Sequence, residues 1–151
     1  RSPRRSDAGP PLGPPLSGAA GASTTSTSIT IDVSGFVSVP QLTAPAGSSL
    51  WNGSDLAVSY VSGGFPVDLT VYEITAGGGL WRWLVAAPYG DHSTAVPDLS
   101  GFEMAHLPDG PLVIGVYGAR IDEFDYGQLA YRNLRPAGMD AYALDFFNVY
   151  K

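Results

Sequence analysis

The residues best suited to chemistry form a few short groups. Trp81-Arg82-Trp83 places two indoles on one face of an extended segment, and Trp51 stands earlier, beside a turn. Exposed and coplanar, Trp51, Trp81 and Trp83 would form a stacking platform for the C–H faces of glycans; buried, they are large core residues. Asp122-Glu123-Phe124-Asp125 gathers three acids in one loop, and hard cations such as calcium take several carboxylate oxygens. The Asp-x-Asp-x-Asp-Gly order of a dedicated calcium loop is missing. Calcium at Asp122, Glu123 and Asp125 is therefore an expectation set beside that of a solvated acidic loop. Asp91-His92-Ser93 has the residue types of a hydrolytic triad, yet neighbouring residues in a strand point to opposite sides and do not align as one.

His92 and His106 are the only histidines. No Gly-x-Ser-x-Gly elbow and no His-Glu-x-x-His motif occurs, so no catalytic residue is assigned. A carboxylate-based hydrolase would need two acids facing each other across a cleft. Its candidates are Asp68, Asp91, Asp122 and Asp125. Asn52-Gly53-Ser54 fits the glycosylation triplet, but Asn-Gly is first of all a turn signal.

The elements that must position these groups read as strands. Apolar and polar side chains alternate through Leu56–Val61 and Val67–Thr75, with glycine and proline at the ends, which is the period of half-buried antiparallel strands. Further strands are expected at Ser28–Ser34, Val37–Val39, Leu80–Ala86, Ser93–Val96, Leu112–Ala119, Gln128–Asn133 and Tyr142–Val149. A single helical turn is expected near Pro97–Phe102 or Pro136–Ala141. Ala76-Gly77-Gly78-Gly79 and Ser62-Gly63-Gly64 read as hairpins, and Pro108-Asp109-Gly110 as a turn. Pro40 and Pro45 confine their neighbourhood to an edge strand or loop.

The faces follow from the alternation. Leu56, Val58 and Tyr60 share the inward side of their strand, and Phe65, Val67, Leu69 and Val71 share that of the next. Leu112–Ala119 is apolar on both sides, which fits a strand covered twice. Tyr126, Tyr131, Tyr142, Phe146, Phe147 and Tyr150 are too many for one inward face, so part of this set is expected on a surface that meets other protein domains or subunits.

Composition bounds the rest. The chain has 151 residues and a net charge of −6. Residues 1–28 are rich in Pro, Gly, Ser and Thr and poor in large apolar side chains; they read as a disordered arm or linker ahead of a β-sandwich domain at 29–151. Arg1, Arg4 and Arg5 against Asp7 give the arm a net charge of +2, which leaves −8 for the domain. So acidic a domain repels phosphate backbones, so no nucleic-acid partner is expected. The absence of cysteine excludes disulfides and thiolate chemistry. No run approaches the roughly 18 apolar residues of a membrane-spanning helix. The chain does not begin with Met, which reads as a piece processed from something longer.

Two stretches carry a resemblance. Gly53-Ser54-Asp55-Leu56-Ala57-Val58-Ser59-Tyr60 resembles the second strand of immunoglobulin-like and fibronectin type III-like modules. Val96-Pro97-Asp98-Leu99, with Leu107-Pro108-Asp109-Gly110-Pro111-Leu112-Val113-Ile114-Gly115-Val116-Tyr117-Gly118-Ala119, is similar to the corner and sixth strand of the fibronectin type III pattern. Leu112 stands where that pattern places a corner tyrosine, and Tyr60 where it often places a tryptophan. The resemblance covers roughly Gly53 to Ala119. It implies an all-β fold, an antiparallel two-sheet sandwich, and a spacer or recognition unit of an exported protein. It implies no activity of its own. The expectation is thus a non-enzymatic, secreted or cell-surface module that binds protein or serves as a structural spacer. The second reading is a carbohydrate-binding module using its tryptophans; the third is the carboxylate hydrolase.

Overall fold

The computed structural model describes residues 16–19, 27–28, 36–60, 64–88, 92–102, 106–121, 123–130, 134 and 139–151. They form two antiparallel sheets. The larger joins β1 (Leu16–Ala19), β8 (Ala141–Tyr150), β7 (Pro111–Arg120), β4 (Leu69–Ala76) and β5 (Trp81–Pro88), in that order. The smaller joins β2 (Pro40–Ala44), β3 (Asp55–Tyr60) and β6 (Ser93–Ala95). The all-β two-sheet reading of the sequence therefore stands.

The core lies between the sheets. Register pairs Tyr72 with Val116, Ile74 with Ile114 and Ala76 with Leu112, so these side chains face inward together. They pack against Leu42, Leu56 and Val58 of the smaller sheet. A second cluster of Val37, Val67, Ala141 and Ala143 closes the other end of the same layer. Each fully buried aliphatic side chain here contributes about 1.5–3 kcal/mol.

This register reverses one expectation. Thr70, Tyr72, Ile74 and Ala76 face the second sheet, where the sequence pattern favoured Leu69 and Val71. Thr70 identifies the inward side, because its Oγ1 lies 2.7 Å from the Tyr60 hydroxyl of β3. Leu69 and Val71 are nonetheless buried, on the outer face. There the Ile121 N–H donates to Asp68 Oδ2, and the Tyr126 hydroxyl reaches the Ala86 carbonyl of β5, so the chain after β7 folds back over that end of the sheet.

Connections also differ from expectation. Gly77–Gly79 closes the β4–β5 hairpin with positive φ at all three residues, which only glycine adopts without strain. Ser62 and Gly63 of the second expected hairpin lie outside the described residues, and β3 and β4 on either side belong to different sheets instead of pairing. Gly64 has another use: a Cβ there would stand 2.5 Å from Ser38 N, so its absence lets the chain around Val37 bridge to Phe65. Val37–Val39 supplies that single bridge rather than a strand. Pro40–Ala44 is an additional edge strand.

Gln128 ends a 3-10 turn, Tyr126–Gln128, instead of starting a strand, because Asp125 accepts the Gly127 N–H and bends the chain. Residues 131–133 lie outside the described residues, as do 29–34 of the strand expected at Ser28–Ser34 and 136–138 of the second candidate helical turn. Pro97–Phe102 holds a turn closed by Phe102 N–H to the Leu99 carbonyl. Much of the expected arm also lies outside the described residues; four of its residues, Leu16–Ala19, pair with β8.

Tyr72 is fully buried, and its hydroxyl has no hydrogen-bond partner among the described residues. An unsatisfied buried hydroxyl costs free energy that phenylalanine avoids. Tyr72→Phe is therefore expected to leave stability unchanged or raise it by up to about 1 kcal/mol, whereas Ile114→Ala lowers it by about 3 kcal/mol. Urea unfolding at neutral pH checks both; a marked loss in Tyr72→Phe would mean that the hydroxyl has a bonding partner.

Candidate functional site

The three tryptophans do not form one platform. Trp51 is only 5% exposed, packs in the core and donates its Nε1–H to the Asp55 carbonyl at 2.9 Å. It thereby pins the turn that Asn52 closes, where Oδ1 accepts the Ser54 and Asp55 N–H groups. Trp81 and Trp83 share the inner face of β5, opposite Ala76 and Ile74, and pack half-buried against the core. Of the three, Trp83 alone lines a surface cleft of about 350 Å³.

That cleft was not legible in the sequence. It is formed by Asn52–Ser54, Val96–Ser100, His106, Leu107 and Lys151, from two connections and the last residue of the chain. Lys151 Nζ closes one side, donating to the Leu107 carbonyl and pairing with Asp109 at 3.0 Å. The Ser100 N–H bonds to Asp98 and holds its carboxyl below the usual carboxylate range, so a negative charge stands at the rim.

The acidic loop is divided. Asp122 lies outside the described residues. Glu123 is exposed at φ 49°, and Asp125 uses both oxygens locally, accepting from Gly127 N and Gln128 Nε2. Among the described residues no three His, Cys, Asp or Glu gather as metal ligands. Asp91 is also outside the described residues, and neither Asp68 nor Asp125 lines this cleft or the second one described below. His92 and Ser93 are exposed beside β3, and the His92 carbonyl accepts Val58 N–H.

The aromatic set splits by strand parity. Phe147 faces inward, whereas Tyr142, Phe146 and Tyr150 face outward on β8. Phe146 meets Tyr117 edge to face, with centroids 6.2 Å apart. Gly115 makes this possible, since a Cβ would stand 2.9 Å from the Phe146 ring. The Tyr117 hydroxyl donates to Glu73 Oε2 at 2.8 Å, and Glu73 Oε1 pairs with Arg82 at 2.6 Å. One row thus runs across β8, β7, β4 and β5. A glycine within an otherwise apolar strand was the sequence signal for it.

The most exposed large apolar side chains lie elsewhere. Leu50 is 86% exposed, Leu80 87% and Phe102 65%. They sit on the β2–β3, β4–β5 and β6–β7 connections, at the end of the sandwich where β8 finishes. There the Trp51 N–H donates to the Tyr150 carbonyl, and Gly110 exchanges two backbone bonds with Lys151. A second cleft, of about 380 Å³, opens between Gly77–Gly79, Pro111 and Tyr150 at this end. No helix among the described residues is long and apolar enough to cross a membrane. No family model matches the chain, and no curated protein or solved structure matches it.

Burial, and then the bond to Glu73, raises the Tyr117 phenol above its ordinary value of 10.0; burial, and then nearby Tyr60, does the same for Tyr72. The folded chain therefore keeps protons that the unfolded chain releases. The stability from these two groups is complete below about pH 10 and is lost as the pH rises further. Urea unfolding between pH 8 and 11 is expected to show this fall, and Tyr117→Phe with Tyr72→Phe to make it shallower. An unchanged slope in the double variant counts against the assignment.

Proposed function

We propose that this chain is a non-enzymatic β-sandwich module of the fibronectin type III kind that works through contact with other protein. The observation that carries the contact reading is the exposure of Leu50, Leu80 and Phe102 on three connections at one end. Single apolar residues are ordinary on a surface, but three this exposed on connections at the same end favour a contact surface there. The two clefts between the loops add concave surface for a partner's side chains.

The module assignment is supported by strand order. Counting from β2, the first, second and fifth strands form the smaller sheet; the third, fourth, sixth and seventh form the four-stranded part of the larger. That division corresponds to strands A, B and E against C, C′, F and G of the immunoglobulin-like class. The stretches that resemble the second and sixth strands of that pattern are β3 and β7. The Pro/Gly/Ser/Thr-rich start followed by an acidic domain fits a secreted or cell-surface setting, and the charge disfavours nucleic acid.

A second reading has one specific observation behind it. Trp83 lines a cleft together with Asp98 and Asn52, residue types suited to binding one sugar ring.

The test combines capture with titration. The intact chain, used as bait on an extracytoplasmic fraction of the source organism, is expected to retain a defined protein. Leu50→Asp, Leu80→Asp and Phe102→Asp together are expected to abolish retention without lowering the melting temperature. Retention by the triple variant removes the assigned surface. Tryptophan fluorescence that shifts with a sugar in the intact chain, but not in Trp83→Ala, moves the assignment to the carbohydrate reading.

A further inference from the structure

Of the asparagines in the chain, only Asn52 precedes a glycine. An asparagine side chain carries its own electrophile, the carboxamide carbon Cγ, and the main-chain nitrogen of the next residue can bond to it by closing an imide ring. Glycine in that next position adds no Cβ to crowd the approach. The pair lies on the β2–β3 connection, with Asn52 exposed.

The Asn52 carboxamide is held by three bonds. Its Oδ1 accepts the Ser54 N–H at 2.9 Å and the Asp55 N–H at 3.2 Å, and its Nδ2 donates to Asp55 Oδ2 at 2.8 Å. Gly53 follows at φ 84°, and among the described residues its N–H has no acceptor. The attacking nitrogen is thus free, whereas the group it would attack is fixed.

We propose that Asn52 is a site of spontaneous deamidation, and that Asp55 sets its rate by holding the turn closed. Attack needs the face of the carboxamide turned toward the Gly53 nitrogen. Turning it breaks the Nδ2–Asp55 bond and loosens the two bonds at Oδ1, so conversion waits for local opening of the turn. Once it opens, the Gly53 nitrogen bonds to Cγ, the Cγ–Nδ2 bond breaks, and Nδ2 leaves as ammonia with the proton that Gly53 gave up. Water then adds to the cyclic imide. Opening at Cγ yields aspartate; opening at the main-chain carbonyl yields isoaspartate, whose chain runs through Cβ and Cγ. Neither product rebuilds the turn. Aspartate has no N–H to offer Asp55 and sets a second carboxylate against it. Isoaspartate lengthens the main chain ahead of Ser54 and Asp55, which displaces the N–H groups that Oδ1 held. The Asp55 carbonyl accepts the Trp51 Nε1–H, so the loss reaches the core. Asn52 also lines the Trp83 cleft, which gains a negative charge. The site needs no partner and stands apart from the contact reading.

The test incubates the full chain at mildly alkaline pH, folded in buffer and unfolded in urea. Peptide mass and enzymatic methylation of isoaspartate read the state of Asn52. The folded chain is expected to convert about tenfold or more slowly than the unfolded one, because opening breaks three hydrogen bonds. Folded Asp55→Ala is expected to convert faster than the parent. Asp55→Asn, whose carboxamide oxygen still accepts from Nδ2, is expected to stay near the parent rate. Melting curves establish that both variants fold. Gly53→Ala in urea, where no fold is needed, is expected to slow the conversion by crowding the attack. Equal rates in the folded and unfolded parent overturn the proposal, and this comparison decides it even where Asp55→Ala does not fold. A folded Asp55→Ala that converts no faster than the parent also overturns it, as does an unfolded chain in which Asn52 stays intact.

Discussion

The register of β4 against β7 sets the geometry of the whole sandwich. These two strands are the inner members of the larger sheet, and β5 and β8 take their register from them. A slip of one residue would move Tyr72, Ile74, Ile114 and Val116 to the outer face together, because side chains alternate with a period of two. The Tyr60–Thr70 contact ties the register to the second sheet: a buried threonine hydroxyl needs a partner, and only the observed parity brings Tyr60 to it. The same parity aligns Phe146, Tyr117, Glu73 and Arg82 in one outer row.

Burial of the outer face is uneven along its length. Leu69, Val71 and Ala119 are covered where the chain after β7 folds back, anchored at Asp68 and Ala86. No comparable segment among the described residues covers the opposite end, where three connections carry Leu50, Leu80 and Phe102. A small sandwich has more apolar surface than one interlayer can bury, so part of it remains at the ends and edges. In this chain the most exposed of it, Leu50, Leu80 and Phe102, stands on three connections at one end, and Trp81, Trp83 and Val85 of β5 are only partly covered.

Much of the fold was legible because strand alternation is local. Asp55–Tyr60, Leu69–Ala76 and Ala141–Tyr150 lie within a few residues of where the sequence pattern puts them. The glycine signals were less decisive. Gly63-Gly64 and Gly77-Gly78-Gly79 look alike as sequence, yet one precedes a change of sheet and the other closes a hairpin. A glycine reports that the backbone needs room, and Gly64 needs it against Ser38 rather than in a tight turn. The inward face of β4 was misread for a related reason. Leu69, Val71, Tyr72 and Ile74 are apolar on both parities, so periodicity cannot choose between two covered faces. The candidate site was less legible still, since its clefts join residues from connections far apart in the chain, and no local pattern records their meeting.

By itself the sequence determined the fold class, the position of most strands and the acidic, cysteine-free character of the domain. It also settled that Trp81 and Trp83 share a face, since i and i+2 in a strand always do. These are properties of composition and of short-range periodicity, which the covalent chain carries without reference to its partners. Tertiary structure alone decided that this shared face is the inner one, that Trp51 is a core residue, and which apolar side chains remain outside. It also decided that β5 ends the strand order of the larger sheet while β8 is covered by β1 and by Ser48–Trp51. Such outcomes depend on which segments compete for the same interlayer space and the same free hydrogen-bonding edge, and that competition exists only once the two sheets have come together.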